Sequence, residues 1–216
     1  MLVLALDTAT PASTAALVEV TADGLFGVAE NRTVDPRAHG EKLAPGIAAV
    51  LAEAGVRPRD LTAIVAGLGP GPFTGLRVGL ATAASMGQAL GIPTYGVCSL
   101  DALGRAAGPG RVLIATDARR REVYFGTYVD GVRENGPDVA KPADVTINVD
   151  KAAGEGALKY DFGVPVEEHL LYPPGAALVA LAADRIRAKA PGEILTPLYL
   201  RRPDAVEPAA RKSVLT

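Results

Sequence analysis

The first thing the sequence shows is how little it has of several residue types. In 216 residues it has one cysteine, two histidines and no tryptophan, and aromatic side chains make up 5%. A lone Cys98 cannot close an internal disulfide, which excludes a disulfide-stapled scaffold and suits a reducing compartment; cytoplasmic is the expected location. His39 and His169 lie far apart, and neither has a second His or Cys at ligand spacing, so the usual zinc arrangements are missing. No Gly-x-Ser-x-Gly nucleophile elbow occurs. Long apolar runs are absent too: the longest weakly polar stretch, around Val78 to Leu90, follows Arg77 and contains Gln88, too short for a membrane span. The chain opens on a strand pattern without the basic region of a signal peptide. An excess of basic charge is also lacking. The formal net charge of −2 argues against a free-standing nucleic-acid binder. The clusters Arg119-Arg120-Arg121, Arg201-Arg202 and Arg211-Lys212 read as solvated turns and a tail, with a rim to a shared nucleic-acid surface as the alternative.

What is present describes an ordinary globular chain, with 49% hydrophobic and 21% charged residues. Leu2 to Asp7 alternates as a strand and ends in a polar turn. Ala15 to Val20 returns as a hairpin partner, and Leu25 to Glu30 extends it after Asp23-Gly24. From Ala38 to Ala54 the period becomes helical through Leu43, Ile47, Val50 and Leu51, and Gly55 stops it. Leu61 to Gly67 suits a buried parallel strand. It feeds Gly69-Pro70-Gly71-Pro72, a helix starting near Thr74 and stopped at Gly91-Ile92-Pro93, and a strand from Thr94 to Val97. Then the opening repeats in kind: Arg111 to Asp117 is an apolar strand ending in Asp, followed by a basic turn and the strand Glu122 to Val129. The repeat predicts an internal duplication with a boundary near Gly108-Pro109-Gly110. The second half has one expected strand near Val145 to Val149, a helix over Ala176 to Ala190, and an extended tail after Pro203.

Two strand–Asp–turn–strand units fit a fold in which paired hairpins hold nucleotide phosphates between two lobes. Turn N–H groups would face phosphate oxygens and an Asp would hold a metal or water. The candidates are Asp7, Thr8, Thr10 and Asp117, with Gly154-Glu155-Gly156 as a tight turn that lets an adenine approach the backbone. The Gly69–Gly75 loop is not a P-loop, because no Gly-Lys-Ser/Thr follows and Pro70 and Pro72 remove two backbone donors. Its expected role is to shape the chain. His39 is expected to be exposed or to cap a helix, and Cys98 to pack as a small hydrophobe.

The helix after that loop carries only one charge, Arg77. Leu76, Leu80, Ala83, Gly87 and Leu90 form one stripe, and Gly75, Gly79, Met86 and Ala89 lie on another side. Such a helix is either central core or a docking element whose small-residue side receives a helix from another chain. Ala44, Ala48 and Ala52 of the preceding helix would extend that patch.

Taken together, Leu4 to Thr10, His39-Gly40-Glu41-Lys42-Leu43-Ala44-Pro45, Gly69-Pro70-Gly71-Pro72-Phe73-Thr74-Gly75-Leu76-Arg77-Val78-Gly79, Asp117 through Tyr124 and Pro197-Leu198-Tyr199-Leu200-Arg201 resemble the bacterial TsaB (YeaZ) family. The landmarks run in family order over nearly the whole chain. Pro72 and Gly40 depart from the usual Ser at each position, which alters turn shape only. The resemblance implies an α/β, actin-like ATPase (ASKHA, RNase H-like) fold of two lobes, each with a mixed sheet and helices. The expected lobes are residues 1–108, carrying the docking helices, and 109–216, smaller and ending in the tail. It further implies a non-catalytic subunit that supports TsaD in forming N6-threonylcarbamoyladenosine at position 37 of tRNAs reading codons that begin with A, with TsaE as the ATPase that joins them. TsaD-like proteins carry a His-x-x-x-His metal motif after the strand matching Thr94–Val97; alignment puts its ligand positions at Ser99 and Leu103, and Leu103 cannot bind a metal.

On this reading the chain requires no cofactor of its own. ATP or ADP and a metal belong to the partner subunits, with a nucleotide at the shared interface left open. tRNA is met only through the complex, no membrane is involved, and a homodimer could use the same helices. The expected interface is Leu43, Ala44, Ile47, Ala48, Phe73, Gly75, Val78, Gly79, Thr82 and Met86, and a charge at Gly79 or Met86 is expected to break docking while the fold survives. Asp7, Thr8, Thr10, Asp117, Gly154 and Gly156 are then a vestigial nucleotide site. The alternative is an active enzyme of the same fold, an ATP-dependent phosphotransferase or a glycoprotease-like peptidase.

Overall fold

Alternation along the first strand decides the layering. Leu4 and Leu6 join a core with Leu43, Ile47, Val50 and Leu51, while Val3 and Ala5 face Leu178, Val179 and Ala182 on the other side. A strand buried on both faces belongs in the middle of a covered sheet. The computed structural model describes residues 1–146 and 148–201. Its strands are β1 (Leu2–Asp7), β2 (Ala12–Val20), β3 (Leu25–Val34), β4 (Ala63–Gly67), β5 (Thr94–Val97), β6 (Arg111–Asp117), β7 (Val123–Val129), β8 (Val132–Ala140) and β9 (Lys151–Ala153). The helices are α1 (His39–Glu53), α2 (Phe73–Leu90), α3 (Ser99–Ala106), α4 (Glu155–Lys159) and α5 (Gly175–Arg187).

The first sheet has the order β3-β2-β1-β4-β5 and the second β8-β7-β6-β9. In each, the central strand pairs antiparallel with its hairpin partner and parallel with a later strand. The second sheet thus repeats the first four strands of the first, as the duplicated strand–Asp–turn pattern predicts. This is the paired-sheet architecture of the actin-like fold.

Helices α1 and α2 cover one face of the first sheet. Helix α5 covers the other, and α3 packs on α5 and on the second sheet through Leu100 and Leu103. Helix α4 sits on the far face of the second sheet, with Ala157 against Leu113 and Ala115. The connectivity therefore crosses over: a helix from the second half of the chain covers the first sheet, and one from the first half covers the second.

Three elements differ from expectation. The strand expected at Val145 to Val149 lies instead at Lys151–Ala153. Strand β8 runs through Gly136-Pro137, residues that read as loop; it is an edge strand, where a proline removes no needed ladder bond. Helix α3 follows Cys98 directly, with Leu100, Leu103 and Ala102 buried. Beyond α5 the chain runs extended along β5, with Glu193 N–H donating to Thr94 O at 2.8 Å and Leu198 N–H to Leu68 O at 2.8 Å. The tail expected after Pro203 lies outside the described residues. Among the described residues, no helix is long and apolar enough to cross a membrane.

Candidate partner-docking face and inter-sheet cleft

The Gly-Pro loop turns the chain from β4 into α2 by packing on the β1–β2 turn. A Cβ at Gly71 would stand 2.2 Å from Ala9 O, so only glycine permits this approach. Ser99, at the start of α3, ties the loop down: its N–H donates to Gly69 O at 2.7 Å, and its Oγ accepts from Gly69 N–H at 3.2 Å. The same Oγ donates to Asp7 Oδ2 at 2.5 Å, while Asp7 Oδ1 accepts from Ala9 N–H at 2.9 Å. Asp7 is buried, and the loss of solvation pushes its pKa up to about 6 against the pull of those two hydrogen bonds.

Thr8 engages α2 directly. Its Oγ1 donates to Gly75 O at 2.8 Å and accepts from Gly79 N–H at 3.0 Å. An α-helix pairs those two backbone groups with each other, so the hydroxyl stands at that rung of the ladder. Both glycines are required for the approach: a Cβ at Gly79 would lie 2.4 Å from Thr8 Oγ1, and one at Gly75 2.8 Å from Thr8 O. His39 closes the same corner. It is buried and caps no backbone group, so neither the exposed nor the capping role expected of it holds; Nδ1 lies 2.8 Å from Ser13 Oγ, and desolvation lowers its pKa.

The ten residues expected to meet a partner divide accordingly. Leu43, Ile47, Gly75 and Gly79 face inward, and the expectation that they form a docking surface is corrected. The leucine and isoleucine fill the sheet core, and the glycines admit the Thr8 turn. Ala44, Ala48 and Phe73 are exposed, and Val78, Thr82 and Met86 are half-buried. With Ala52, Ala81, Ala84 and Ser85, also exposed, they form an outward face on two helices in contact. At its edge Phe73 stacks on Tyr199 at 5.2 Å between ring centroids, and Arg77 lies 4.9 Å from the Phe73 centroid. Tyr199, in the late Pro197–Arg201 segment, carried no sequence signal for this contact.

The residues of the expected nucleotide site are brought together only in part. Thr10 and Asp117 line one cleft between the two hairpins, with Arg37, His39, Thr74 and Arg119 among its other walls. Asp7 and Thr8 are engaged as described. Asp117 Oδ1 is held by Lys159 Nζ at 3.1 Å and by the Tyr160 hydroxyl at 3.2 Å. Gly154-Glu155-Gly156 is not an open turn but the start of α4, pressed on β6: a Cβ at Gly154 would stand 2.2 Å from Ala115 O. Glu155 accepts from the N–H groups of Asp117 at 3.1 Å and Gly156 at 2.9 Å, and desolvation beside Asp117 pushes its pKa up to about 7. Arg201 donates to Ala118 O at 3.0 Å and pairs with Glu122, so it braces the β6–β7 turn. Arg119, Arg120 and Arg121 are exposed in that turn, all with positive φ. Arg202 lies outside the described residues.

Cys98 is buried, which pushes its thiol up to about 12, far from a thiolate nucleophile. Among the described residues no group of three or more His, Cys, Asp or Glu side chains could hold a metal ion.

The family model described as "TsaD: tRNA N6-adenosine threonylcarbamoyltransferase" matches residues 31–189. An uncharacterised protein of Mycobacterium tuberculosis (strain H37Rv) is 50% identical over 208 residues, covering 94% of this chain and 93% of its own. A relative from Mycobacterium leprae is equally similar, but the chain spans only 56% of its length. The tRNA threonylcarbamoyladenosine biosynthesis protein TsaB of Escherichia coli K12 is 36% identical over 132 residues, 59% of this chain and 55% of that protein. The solved structure of YeaZ from Pseudomonas aeruginosa superposes with a TM-score of 0.76 at 30% identity, covering 92% of this chain and all of the other.

Proposed function

This chain belongs to the TsaB (YeaZ) family, and from that premise we propose that it is a non-catalytic subunit of the machinery that forms N6-threonylcarbamoyladenosine in tRNA. It docks a TsaD-type catalytic subunit through the outward faces of α1 and α2, and a TsaE-type ATPase joins the pair. The observation that carries this reading is the composition of that face. Ala44, Ala48 and Ala52 on α1 and Ala81, Ala84 and Ser85 on α2 are exposed, and Arg77 is the only charged residue of α2. Small side chains let a partner helix approach closely, and a contiguous, nearly uncharged exposed face marks an interaction surface.

The two positions at which TsaD-like proteins carry metal ligands support the non-catalytic role. Ser99 is hydrogen-bonded to Asp7, and Leu103 is fully buried against the second sheet. A net charge of −2 agrees with tRNA being met through the complex.

The test is copurification of a variant carrying Ala48→Glu and Ala84→Glu with a TsaD-type subunit. Burying unpaired carboxylates at a helix–helix contact should weaken association on the order of 100-fold. Both positions are exposed in the single chain, so its melting temperature should be unchanged. Copurification at the level of the unmodified chain would reject the docking face.

A further inference from the structure

The first sheet has two edges, and they are finished differently. At β5 the segment after α5 takes the outer side: Glu193 N–H donates to Thr94 O at 2.8 Å, and the Glu193 carboxylate accepts from Gly96 N–H at 3.1 Å. At β3, among the described residues, no strand pairs with the outer side. An uncovered edge is a template for another strand unless the sequence blunts it. Here the blunting is partial. A register shift between Leu17 and Val18 leaves Val28 as a bulge and disrupts the first half of the edge. From Ala29 to Val34 the ladder is regular, and at its flanks Val28 and Val34 are 42% and 52% exposed.

The phase of that ladder fixes which backbone groups are turned outward. Asp35 N–H donates to Pro11 O at 3.0 Å, so the hydrogen-bonded pairs with β2 fall at Thr33, Asn31 and Ala29. Glu30, Arg32 and Val34 therefore direct their N–H and C=O groups away from the sheet, and an added strand must pair with them. A second, antiparallel copy of β3 can do so about a twofold axis at one of four residues. An axis at Glu30 opposes two carboxylates, one at Arg32 opposes two guanidinium groups, and one at Thr33 sets each Arg32 against a valine. An axis at Asn31 instead sets Glu30 opposite the second copy's Arg32, and Val28 opposite its Val34. Within one chain Glu30 and Arg32 already form an ion pair at 2.5 Å. Across this axis the two pairs make a cluster of alternating charge.

We propose that two copies of this chain pair antiparallel through the β3 edge, centred on Asn31, and join their first sheets into one. The occupant is a second copy because the strand complements itself, in charge and in apolar pairing, at that register. The covered β5 edge stops the assembly at two copies. This surface differs from a homodimer through α1 and α2, because no residue of that docking face lies on β3.

Sedimentation equilibrium of the full chain tests this. A strand-edge contact buries little area, so a dissociation constant of about 10–100 μM is expected. Glu30→Arg and Arg32→Glu should each weaken self-association about tenfold or more, because like charges then meet across the axis. Mixed in equal amounts, the two variants should associate again, since each supplies the charge that the other lacks. The pair within each chain stays broken in the mixture, so recovery reports the contact between copies. Asn31→Cys places two thiols at a pair whose Cα atoms stand about 4.5 Å apart, within disulfide reach. Oxidation should give a covalent dimer on a non-reducing gel, whereas Thr33→Cys, displaced from the axis, should not; Cys98 is buried. Glu30 also accepts from Gly175 N–H at 3.0 Å, so if Glu30→Arg fails to fold by circular dichroism the cysteine variants decide. A parent chain still monomeric at about 1 mM, cross-linking at Thr33→Cys as readily as at Asn31→Cys, or no recovery in a mixture of folded charge variants would each overturn the proposal.

Discussion

Asp7 holds its place at the end of β1 with both carboxylate oxygens hydrogen-bonded, yet burial raises its pKa from 3.8 to about 6. Between those values the folded chain keeps a proton that the unfolded chain releases. Stability from this group is therefore complete below about pH 4 and is lost as pH rises toward 6, by roughly 3 kcal/mol in all. Glu155, raised to about 7, carries the decline further toward neutrality. His39 acts oppositely: burial lowers its pKa, so its contribution is present above 6.5 and lost as pH falls below it. Urea unfolding at pH 4 and pH 6.5 should show a smaller difference between the two in Asp7→Asn than in the unmodified chain, relative to the same His39 background. An identical difference would mean that Asp7 is ionised in the fold throughout. The strand-end aspartate was legible in the sequence as a special residue. Its partner was not, because Ser99 lies 92 residues away and only the approach of α3 to β1 joins them.

At the scale of the element, α2 shows why small-residue spacing is ambiguous. Gly75 and Gly79 sit one turn apart, as a partner-facing stripe would, and the helix is nearly uncharged all round. Helical period identifies a stripe without identifying what covers it. Here the cover is the chain's own β1–β2 turn, with the Thr8 hydroxyl bridging Gly75 O and Gly79 N–H. A methyl group at Gly79 would meet that oxygen at 2.4 Å, and Thr8 is short, β-branched and fixed by both bonds. Gly79→Ala should therefore destabilise the isolated chain by about 1–3 kcal/mol in a denaturant melt. Stability within error of the parent would mean that the turn can withdraw. A charge at Gly79 thus tests folding, and the docking face is probed instead at Ala48 and Ala84.

The whole molecule is held by helices that cross between its halves. Helix α5 buries Val3, Ala5, Val18 and Val65 of the first sheet, and α3 buries Val112, Ile114 and Tyr128 of the second. A fragment of residues 1–108 would leave one face of its sheet uncovered and α3 without its neighbours. It should be aggregated or poorly folded by circular dichroism and gel filtration, whereas the full chain should melt in one calorimetric transition. A monomeric, cooperatively melting fragment would show that the first half carries a sufficient core of its own.

The sequence by itself determined the two apolar strand–Asp–turn units, the helical periods of α1 and α2, the parallel strand β4, the presence of β5, and the family landmarks. These are local patterns of side-chain alternation and turn chemistry, written in neighbouring residues. Strand β8 was hidden by Gly136-Pro137, since only its edge position makes a proline acceptable. Tertiary structure alone decided that α5 and α3 exchange sheets. It also decided which side of α2 stays outward, that His39 turns in, and that Arg37 and Arg119 line one cleft with Asp117. Each of these depends on groups distant in sequence competing for the same small volume, and that competition is resolved by packing and hydrogen-bond satisfaction, which no local pattern records.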